Sequence, residues 1–373
     1  MTEHGGRTSL SELARLFLKL GTVSFGGPAA HIAMMEDEVV RRRAWLTHAE
    51  FLDLVGAVNL IPGPNSTEMA IHVGRERAGW RGLLVAGSCF ILPAVLIVGA
   101  VGWAYVKFGT LPAAVGLLYG VKPVVIAVVL QALWSLGRTA VKSWWLGALG
   151  VAAVVATAAG VNELLVLGVA AALGIAAKTR RGPALGLVAA GSFAGAPAAF
   201  GLWPLFAVFL KVGAVLFGSG YVLLAFLRAD LVQRLHWLTE HQLLDAVAVG
   251  QVTPGPVFTT ATFVGYVLHG VPGAAVATLG IFLPAFVYVA LSGAILPRLR
   301  RSPAARAALD AVNVASLALM VVVTWQLAGA ALVDAGTVVL AAAAAVLLLR
   351  YRVNSSWLVL GGAAVGLAVR ALG

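Results

Sequence analysis

Charged side chains are scarce in this sequence. Only 11% of its 373 residues are Asp, Glu, Lys or Arg, while 61% are hydrophobic. Soluble domains carry roughly 25% charged residues. No soluble core could hide so much apolar surface, so lipid must form part of the solvent. The composition therefore excludes a wholly soluble protein.

Cysteine and the motifs of common enzyme classes are nearly or entirely missing. Cys89 is the single cysteine, so no disulfide can form within the chain. There is no H-E-x-x-H, no Walker loop and no G-x-S-x-G, and the seven histidines lack metal-ligand spacing. We therefore expect no cofactor, no ATP-driven pump and no metal-dependent membrane enzyme. The first ten residues lack the apolar core of a signal peptide, so we expect none.

Positive charge exceeds negative charge, with a formal net charge of +11. Such a balance can indicate nucleic-acid binding. Here the Lys and Arg residues stand in short clusters between apolar runs, where the positive-inside rule places them. We expect membrane lipids, and no nucleic acid, around this chain.

The sequence contains an internal repeat of two related halves, with matching residues 192 positions apart. The matches are Phe17-Leu18-Lys19-Leu20-Gly21 with Phe209-Leu210-Lys211-Val212-Gly213, Trp45-Leu46-Thr47 with Trp237-Leu238-Thr239, and Pro62-Gly63-Pro64 with Pro254-Gly255-Pro256. A duplicated hydrophobic half with broken helices is typical of secondary transporters. We predict an all-α, polytopic membrane protein with a first repeat at 11–180, a linking transmembrane helix at 181–202 and a second repeat at 203–373.

Apolar runs predict most of the membrane helices. They lie near 82–106, 112–136, 144–160, 163–177 and 184–201, and again near 272–296, 306–330, 335–349 and 354–369. In the first half two further segments, 11–35 and 47–77, are interrupted by glycine and proline, which break helices. Their pieces are too short to cross a core of roughly 30 Å. They are therefore either re-entrant hairpins or spans broken near the middle of the membrane.

Basic clusters predict that the two halves run in opposite directions. Helix 82–106 follows one cluster, whereas its repeat partner 272–296 precedes the other. The clusters are Arg75, Arg77 and Arg81, and Arg298, Arg300, Arg301 and Arg306. If both clusters lie in the cytoplasm, the two helices are antiparallel and the halves form an inverted repeat.

The two Pro-Gly-Pro triplets are the first candidate site. Each should end one helix and start another, whose N-terminus carries unpaired N–H groups and favours an anion. The candidate substrate-binding residues are Pro62, Gly63, Pro64, Asn65, Ser66 and Thr67, with Pro254, Gly255, Pro256, Thr259 and Thr260 in the second half. The alternative is that the prolines only kink packed helices.

Two glycine-rich breaks and two lysines extend this candidate site. The breaks contain Phe25, Gly26 and Gly27 in the first half and Gly218 and Ser219 in the second. They either line an anion path or allow tight helix packing. Lys19 and Lys211 are matched cations in apolar stretches, which would either attract a divalent oxyanion or extend to the lipid headgroups.

Four further residues are candidates for proton coupling. Asp53 and Asp245 are matched, while Glu68 and His72 stand one turn apart after the first triplet and have no counterpart in the second half. Each could take a proton during a transport cycle. The alternative for the two aspartates is that they solubilise a helix or pair with Lys or Arg.

Together these motifs resemble the chromate ion transporter family in its long, two-domain form. The resemblance rests on Phe25-Gly26-Gly27-Pro28, on Trp45-Leu46-Thr47 ahead of Pro62-Gly63-Pro64, and on the second-half counterparts through Pro284. It implies a multi-pass protein of the bacterial inner membrane that exports chromate, with halves of opposite topology. Gly218-Ser219-Gly220 departs from the Gly-Gly-Pro of the first half, which puts equal roles for the two breaks in doubt.

The substrate implied by the resemblance leaves alternatives open. Sulfate has the shape and charge of chromate, so helix ends do not separate the two. A passive anion channel is a further alternative, as is an intramembrane enzyme acting on lipid phosphate, although no nucleophile–base pair can be assembled for it. The sequence also leaves a homodimer open.

Overall fold

The computed structural model describes residues 8–25, 27–109, 111–178, 200–217, 220–351 and 353–372. These residues form fourteen α-helices and no strand, which confirms the all-α prediction. Nearly all of the predicted linking helix at 181–202 lies outside the described residues, as do the candidate residues Gly26, Gly218 and Ser219.

The first half contains seven helices, of which α3 starts at a capping box. The Thr47 hydroxyl accepts the Glu50 N–H, and the Glu50 carboxylate accepts the Thr47 N–H, which satisfies two open backbone donors. α2 continues into a π-helical segment at Asp37–Arg42. The helices are α1 (Leu10–Val23), α2 (Gly27–Glu36), α3 (His48–Val58), α4 (Asn65–Phe108), α5 (Pro112–Ala140), α6 (Trp144–Ala158) and α7 (Glu163–Lys178).

The second half repeats the local geometry of the first. It has a π-helical segment at Arg228–Arg234 and a capping box between Thr239 and Gln242. Ala44 and His236 are 192 positions apart and both have positive φ, 49° and 53°, which is uncommon outside glycine. The duplication therefore extends to backbone conformation. The helices are α8 (Leu202–Val215), α9 (Leu223–Leu227), α10 (Glu240–Val252), α11 (Thr260–Arg301), α12 (Pro303–Ala331), α13 (Ala335–Tyr351) and α14 (Ser355–Leu372).

Helices α4 and α11 each turn at a glycine hinge. Gly79 and Gly270 have φ values of 60° and 59°, a conformation that glycine adopts without steric cost. Each helix consists of a short arm and a long arm, which span 65–77 and 80–108 in α4 and 260–268 and 271–301 in α11. The long arms contain the predicted spans 82–106 and 272–296.

The two arms of each hairpin pack in direct backbone contact. A Cβ on Gly74 would overlap the carbonyl oxygen of Gly82, and Gly265 and Gly273 repeat this contact. In a straight helix residues eight positions apart are separated by about 12 Å, at roughly 1.5 Å per residue. The contact is therefore possible only because the chain reverses at the hinge.

Both broken segments of the first half are re-entrant. Glu12 near the start of α1 lies 3.5 Å from Arg43, so the chain enters and leaves this segment on one side. Arg77, at the end of the short arm of α4, donates to Thr8 Oγ1 at 2.9 Å and to the Trp45 carbonyl oxygen at 3.0 Å. The second segment, which starts just after Trp45, therefore also returns to this side. Of the two sequence interpretations, the hairpin is correct.

The two halves run in opposite directions, as predicted. Arg75, beside the first hinge, contacts Gly293 and Ser292 near the end of the long arm of α11. Tyr266, beside the second hinge, contacts Gly102 near the end of the long arm of α4. Each long arm therefore starts where the other ends, and the two are antiparallel.

The remaining helices are exchanged between the halves. α5 packs against α13 and α14, while its repeat partner α12 packs against α6 and α7. The exchanged helices supply half of the buried residues of the larger hydrophobic core. Among the described residues, four helical stretches are long and apolar enough to cross a membrane, two of them counted through their glycine hinges: Asn65–Phe108, Pro112–Ala140, Val257–Gly293 and Pro303–Ala331.

Candidate functional site

The breaks of the two halves meet crosswise. The Gly63 amide donates to the Leu216 carbonyl oxygen at 2.8 Å, and the Gly255 amide donates to the Ser24 carbonyl oxygen at 2.9 Å. These four residues form two pairs that are 192 positions apart, so the same bond is made twice. Each Pro-Gly-Pro triplet therefore lies against the phenylalanine–glycine break of the opposite half.

Only glycine fits the centre of each triplet. Gly63 has φ +139° and Gly255 has φ +87°, both disfavoured for residues with a Cβ. A Cβ on Gly63 would overlap Oε1 of Glu68, and a Cβ on Gly255 would lie 2.7 Å from the Cβ of Ala94. The backbone of each triplet is thus in close contact with its surroundings.

The glycine amides of the triplets are not open to a ligand in this conformation. The sequence suggested unpaired amides here, but those of Gly63 and Gly255 are used in the crosswise bonds because a buried N–H needs a partner. α4 begins at Asn65 without a side-chain cap, and its first intrahelical bond runs from the Glu68 N–H to the Pro64 carbonyl oxygen at 3.0 Å. The open donors of this helix end are therefore those of residues 65–67.

The polar side chains after the first triplet face inward. Ser66 and Thr67 are buried, and Thr67 Oγ1 has no hydrogen-bond partner among the described residues. Asn65 donates from Nδ2 to Asn59 Oδ1 at 2.9 Å. The first break thus keeps an unused hydroxyl at the helix end.

The second break is not a copy of the first. A 3₁₀ turn, Val257–Thr259, separates its triplet from α11. The hydroxyls of Thr259 and Thr260 bond backbone carbonyl oxygens three residues back, at 2.8 and 2.7 Å. Beside them lies a cavity of about 10 Å³, lined in part by Gln251, Thr260 and Gly220. Such a volume holds about one water molecule, so the site is closed to an oxyanion at this point.

The four candidates for proton coupling occupy different environments. Glu68 is fully buried, and neither carboxyl oxygen has a hydrogen-bond partner among the described residues. His72 is buried one turn further along α4. Asp53 is exposed on α3. Asp245 is buried in an ion pair, which matches its alternative interpretation as a partner for a cation.

The partner of Asp245 is Lys122, which sequence reasoning missed. Lys122 Nζ lies 3.1 Å from Asp245 Oδ1, and the Tyr105 hydroxyl donates to Oδ2 at 2.9 Å. These two partners come from α5 and α4 of the first half, while Asp245 is on α10 of the second. Later in each half the spacing is 191, as between Pro93 and Pro284, so the position equivalent to Lys122 is Asn313 and duplication gave no signal.

Lys19 and Lys211 are each bound to an acid that the sequence analysis also missed. Lys19 Nζ lies 2.6 Å from Glu38 Oε1, and Lys211 Nζ lies 2.5 Å from Asp230 Oδ2. Glu38 and Asp230 are 192 positions apart, so the repeat spacing could have found them. The substitution of Asp for Glu hides them from a search for identical residues.

Of the first phenylalanine–glycine break, the structure describes Phe25 and Gly27. Phe25 is exposed, and Gly27 begins α2 with φ +79°. The Ser24 carbonyl oxygen just before them accepts the crosswise bond from Gly255. The structure therefore brings this break to the second triplet.

The chain is similar to proteins that carry out transport. The model of a family described as "Chromate transporter" matches residues 11–175 and again 203–367. A "Chromate transport protein" of Cupriavidus metallidurans is 34% identical, over 96% of this chain and 92% of that protein. A "Probable chromate transport protein" of Synechococcus elongatus is 32% identical, over 87% of this chain and 84% of that protein. No solved structure matches the chain.

Proposed function

This chain belongs to the chromate transporter family, and we propose that it carries chromate out of the cell by alternating access. It is a membrane protein of a family of transporters rather than enzymes. We place it in the inner membrane of a bacterium as a multi-pass protein.

The crosswise contact between the breaks is the observation that carries this proposal. Irregular backbone inside a membrane is tolerated only within protein or beside water. Here four breaks lie between two antiparallel halves, and the Gly63–Leu216 and Gly255–Ser24 bonds join them. Secondary transporters bind substrate where broken helices of inverted repeats meet. Rocking of one half against the other would open this place to each side in turn.

We place the oxyanion at the helix end that follows the first triplet. The N–H groups of residues 65–67 precede the first intrahelical bond, and such an end carries roughly half a positive charge. The unused Thr67 hydroxyl lies at the same end. Because the cavity beside the second break is closed to an oxyanion, chromate binding requires the breaks to separate.

The membrane potential is sufficient to drive export. Chromate is largely a dianion near neutral pH, and an interior-negative potential is worth about 2.3 kcal/mol per charge per 100 mV. At 100 mV, two charges therefore gain about 4.6 kcal/mol on moving outward. Each 1.4 kcal/mol corresponds to about a tenfold concentration gradient. A gradient above about a thousandfold follows without ATP.

Glu68 is our candidate for any coupling to protons. Its carboxyl group lies against Gly63 at the first break and has no hydrogen-bond partner among the described residues. Burying an unpaired carboxylate is costly, so we propose that the group carries its proton while the breaks are closed. His72 lies one turn away and is the second candidate.

Uptake of labelled chromate into everted vesicles tests the proposed function. Export from the cell corresponds to uptake into everted vesicles. Vesicles with an interior-positive potential should therefore accumulate chromate, and they should lose it when an ionophore removes the potential. Accumulation no greater than in vesicles without the protein would contradict the proposal. Excess sulfate tests the rival substrate, because equal competition would widen the substrate to divalent oxyanions. Single-channel currents would instead indicate a passive channel.

A further inference from the structure

The lysine–acid pairs form two matched clusters. In the first, Glu38 binds Lys19 at 2.6 Å and lies 3.7 Å from Arg42 Nη1. In the second, Asp230 binds Lys211 at 2.5 Å and Arg234 Nη2 at 2.8 Å. Lysine, acid and arginine each recur at the same spacing of 192.

The acids of both clusters lie on unusual backbone. Glu38 is in the π-helical segment Asp37–Arg42 and Asp230 is in the segment Arg228–Arg234. π-Helical turns are rare and occur frequently at functional sites. Both halves of the repeat therefore have the same π-helical distortion at the position of the buried acid.

In each cluster the acid is enclosed and the lysine is the accessible partner. The side chains of Glu38 and Asp230 are 8% and 2% exposed, whereas those of Lys19 and Lys211 are 54% and 27% exposed. Lys19 also lines a cavity of about 390 Å³ together with Arg42 and the acids Asp37 and Glu38. This volume lies within the roughly 300–1,000 Å³ of small-ligand pockets. An anion that enters this cavity meets Lys19 and Arg42 but also Asp37 and Glu38, so it can bind the lysine only by displacing the acid.

Neither cluster has spare positive charge for a dianion. In the first, Glu38 also lies 3.5 Å from Arg43, while Asp37 pairs with Arg42 at 2.7 Å and Glu12 pairs with Arg43 at 3.5 Å. Three cations thus meet three acids. In the second, Glu163 lies 3.5 Å from Lys211, so two cations meet two acids. A dianion can therefore bind Lys19 or Lys211 only if the paired acid first releases that lysine.

We propose that Glu38 and Asp230 are resident counter-anions that the substrate oxyanion displaces from Lys19 and Lys211 as it moves to and from the helix end after the first triplet. This inference rests on the proposed function. Each acid keeps its arginine when the lysine turns to the substrate, so neither partner is left buried without a counter-charge, which would be strongly destabilising. The returning acid then displaces the oxyanion. The acids therefore weaken binding and speed release.

Binding of labelled chromate to the purified full-length protein tests this inference. We expect Glu38→Gln and Asp230→Asn each to bind chromate about tenfold more tightly than the wild type, and to transport it more slowly in proteoliposomes because release is slowed. Unchanged affinity in both variants would overturn the inference. Should one variant not fold, the other makes the same test in its own half.

Glu36→Gln is the matched control. It removes the same charge two positions away, but Glu36 pairs with Arg41 and His48, outside the cluster. An equal gain in affinity for this variant would overturn the inference, because a general loss of negative charge would then explain the effect. In a Lys19→Met background, Glu38→Gln should no longer alter affinity. If the wild type neither binds nor moves chromate, the proposed function fails; if it does both and the variants match it, only this inference fails.

Discussion

The amide of Gly63 donates a 2.8 Å hydrogen bond to the carbonyl oxygen of Leu216, in the opposite half of the chain. The bond joins the first Pro-Gly-Pro triplet to the second phenylalanine–glycine break, and Gly255 and Ser24 make its counterpart. Two breaks that would be costly alone in a membrane satisfy each other's backbone groups. The halves are thus connected at the place where we locate the substrate.

Gly63→Ala should remove transport and destabilise the protein. The new Cβ would overlap Glu68 and would require φ +139° from a residue that disfavours it, at a cost of about 1 to 3 kcal/mol. Chromate uptake and thermal unfolding in detergent measure the two effects. Gly56→Ala is the control, because Gly56 is exposed in α3 and nothing lies within 4 Å of its added Cβ. Equal behaviour of the two variants would argue against a constrained break.

Glu68→Gln should leave folding intact and abolish any dependence of chromate flux on pH. Glutamine keeps the shape of a protonated carboxyl group but has no proton to exchange. Flux measured across a pH series, together with the unfolding temperature, tests this. Glu76→Gln, at an exposed position on the same arm, should retain the wild-type profile. A wild-type profile for Glu68→Gln would remove this residue from the proton pathway.

Lys122→Met should destabilise the protein by about 3 to 5 kcal/mol, because it leaves Asp245 buried without its cation. The double variant Lys122→Met with Asp245→Asn should recover part of this loss. Lys142→Met breaks the Lys142–Asp310 pair, whose lysine is exposed, and should cost below about 1 kcal/mol. Thermal unfolding of the purified variants measures which substitution costs more stability. Equal losses for Lys122→Met and Lys142→Met would contradict it.

Thiol labelling tests the opposite orientation of the halves. Trp80 and Val271 are 191 positions apart, both exposed, and each follows a glycine hinge. In a Cys89→Ala background, a membrane-impermeant maleimide should label Val271→Cys in intact cells and Trp80→Cys only in everted vesicles. Labelling of both from one side would mean that the halves face the same way.

The helical halves and their breaks were predictable because proline and glycine at a constant spacing leave a strong local signal. The spacing from Pro62 to Pro254 indicated duplication, and the position of Arg75 and Arg77 indicated inversion. The breaks depend on short stretches of chain, and the orientation of the halves depends on where charges stand relative to the membrane. Both can be read from local sequence.

The partners across the fold were not predictable in the same way. Lys122 meets Asp245 only because α5 and α10 come together from different halves, and no periodicity links the two positions. The hinge at Gly79 falls between the predicted segments 47–77 and 82–106, so its place in the chain was predictable although its reversal of direction was not. Glu38 and Asp230 could have been found from the spacing alone, since each differs from its counterpart by one methylene group.

The most direct test is whether chromate protects the breaks. Thr67 and Thr259 are 192 positions apart and fully buried beside the two triplets. In a Cys89→Ala background, a small impermeant thiol reagent should modify Thr67→Cys and Thr259→Cys in membranes without chromate, and added chromate should slow both reactions. The rate at Thr324→Cys, which is buried in α12 and belongs to neither break, should not respond to chromate. If membranes that transport chromate show no protection at either break, the oxyanion does not pass where the two halves cross.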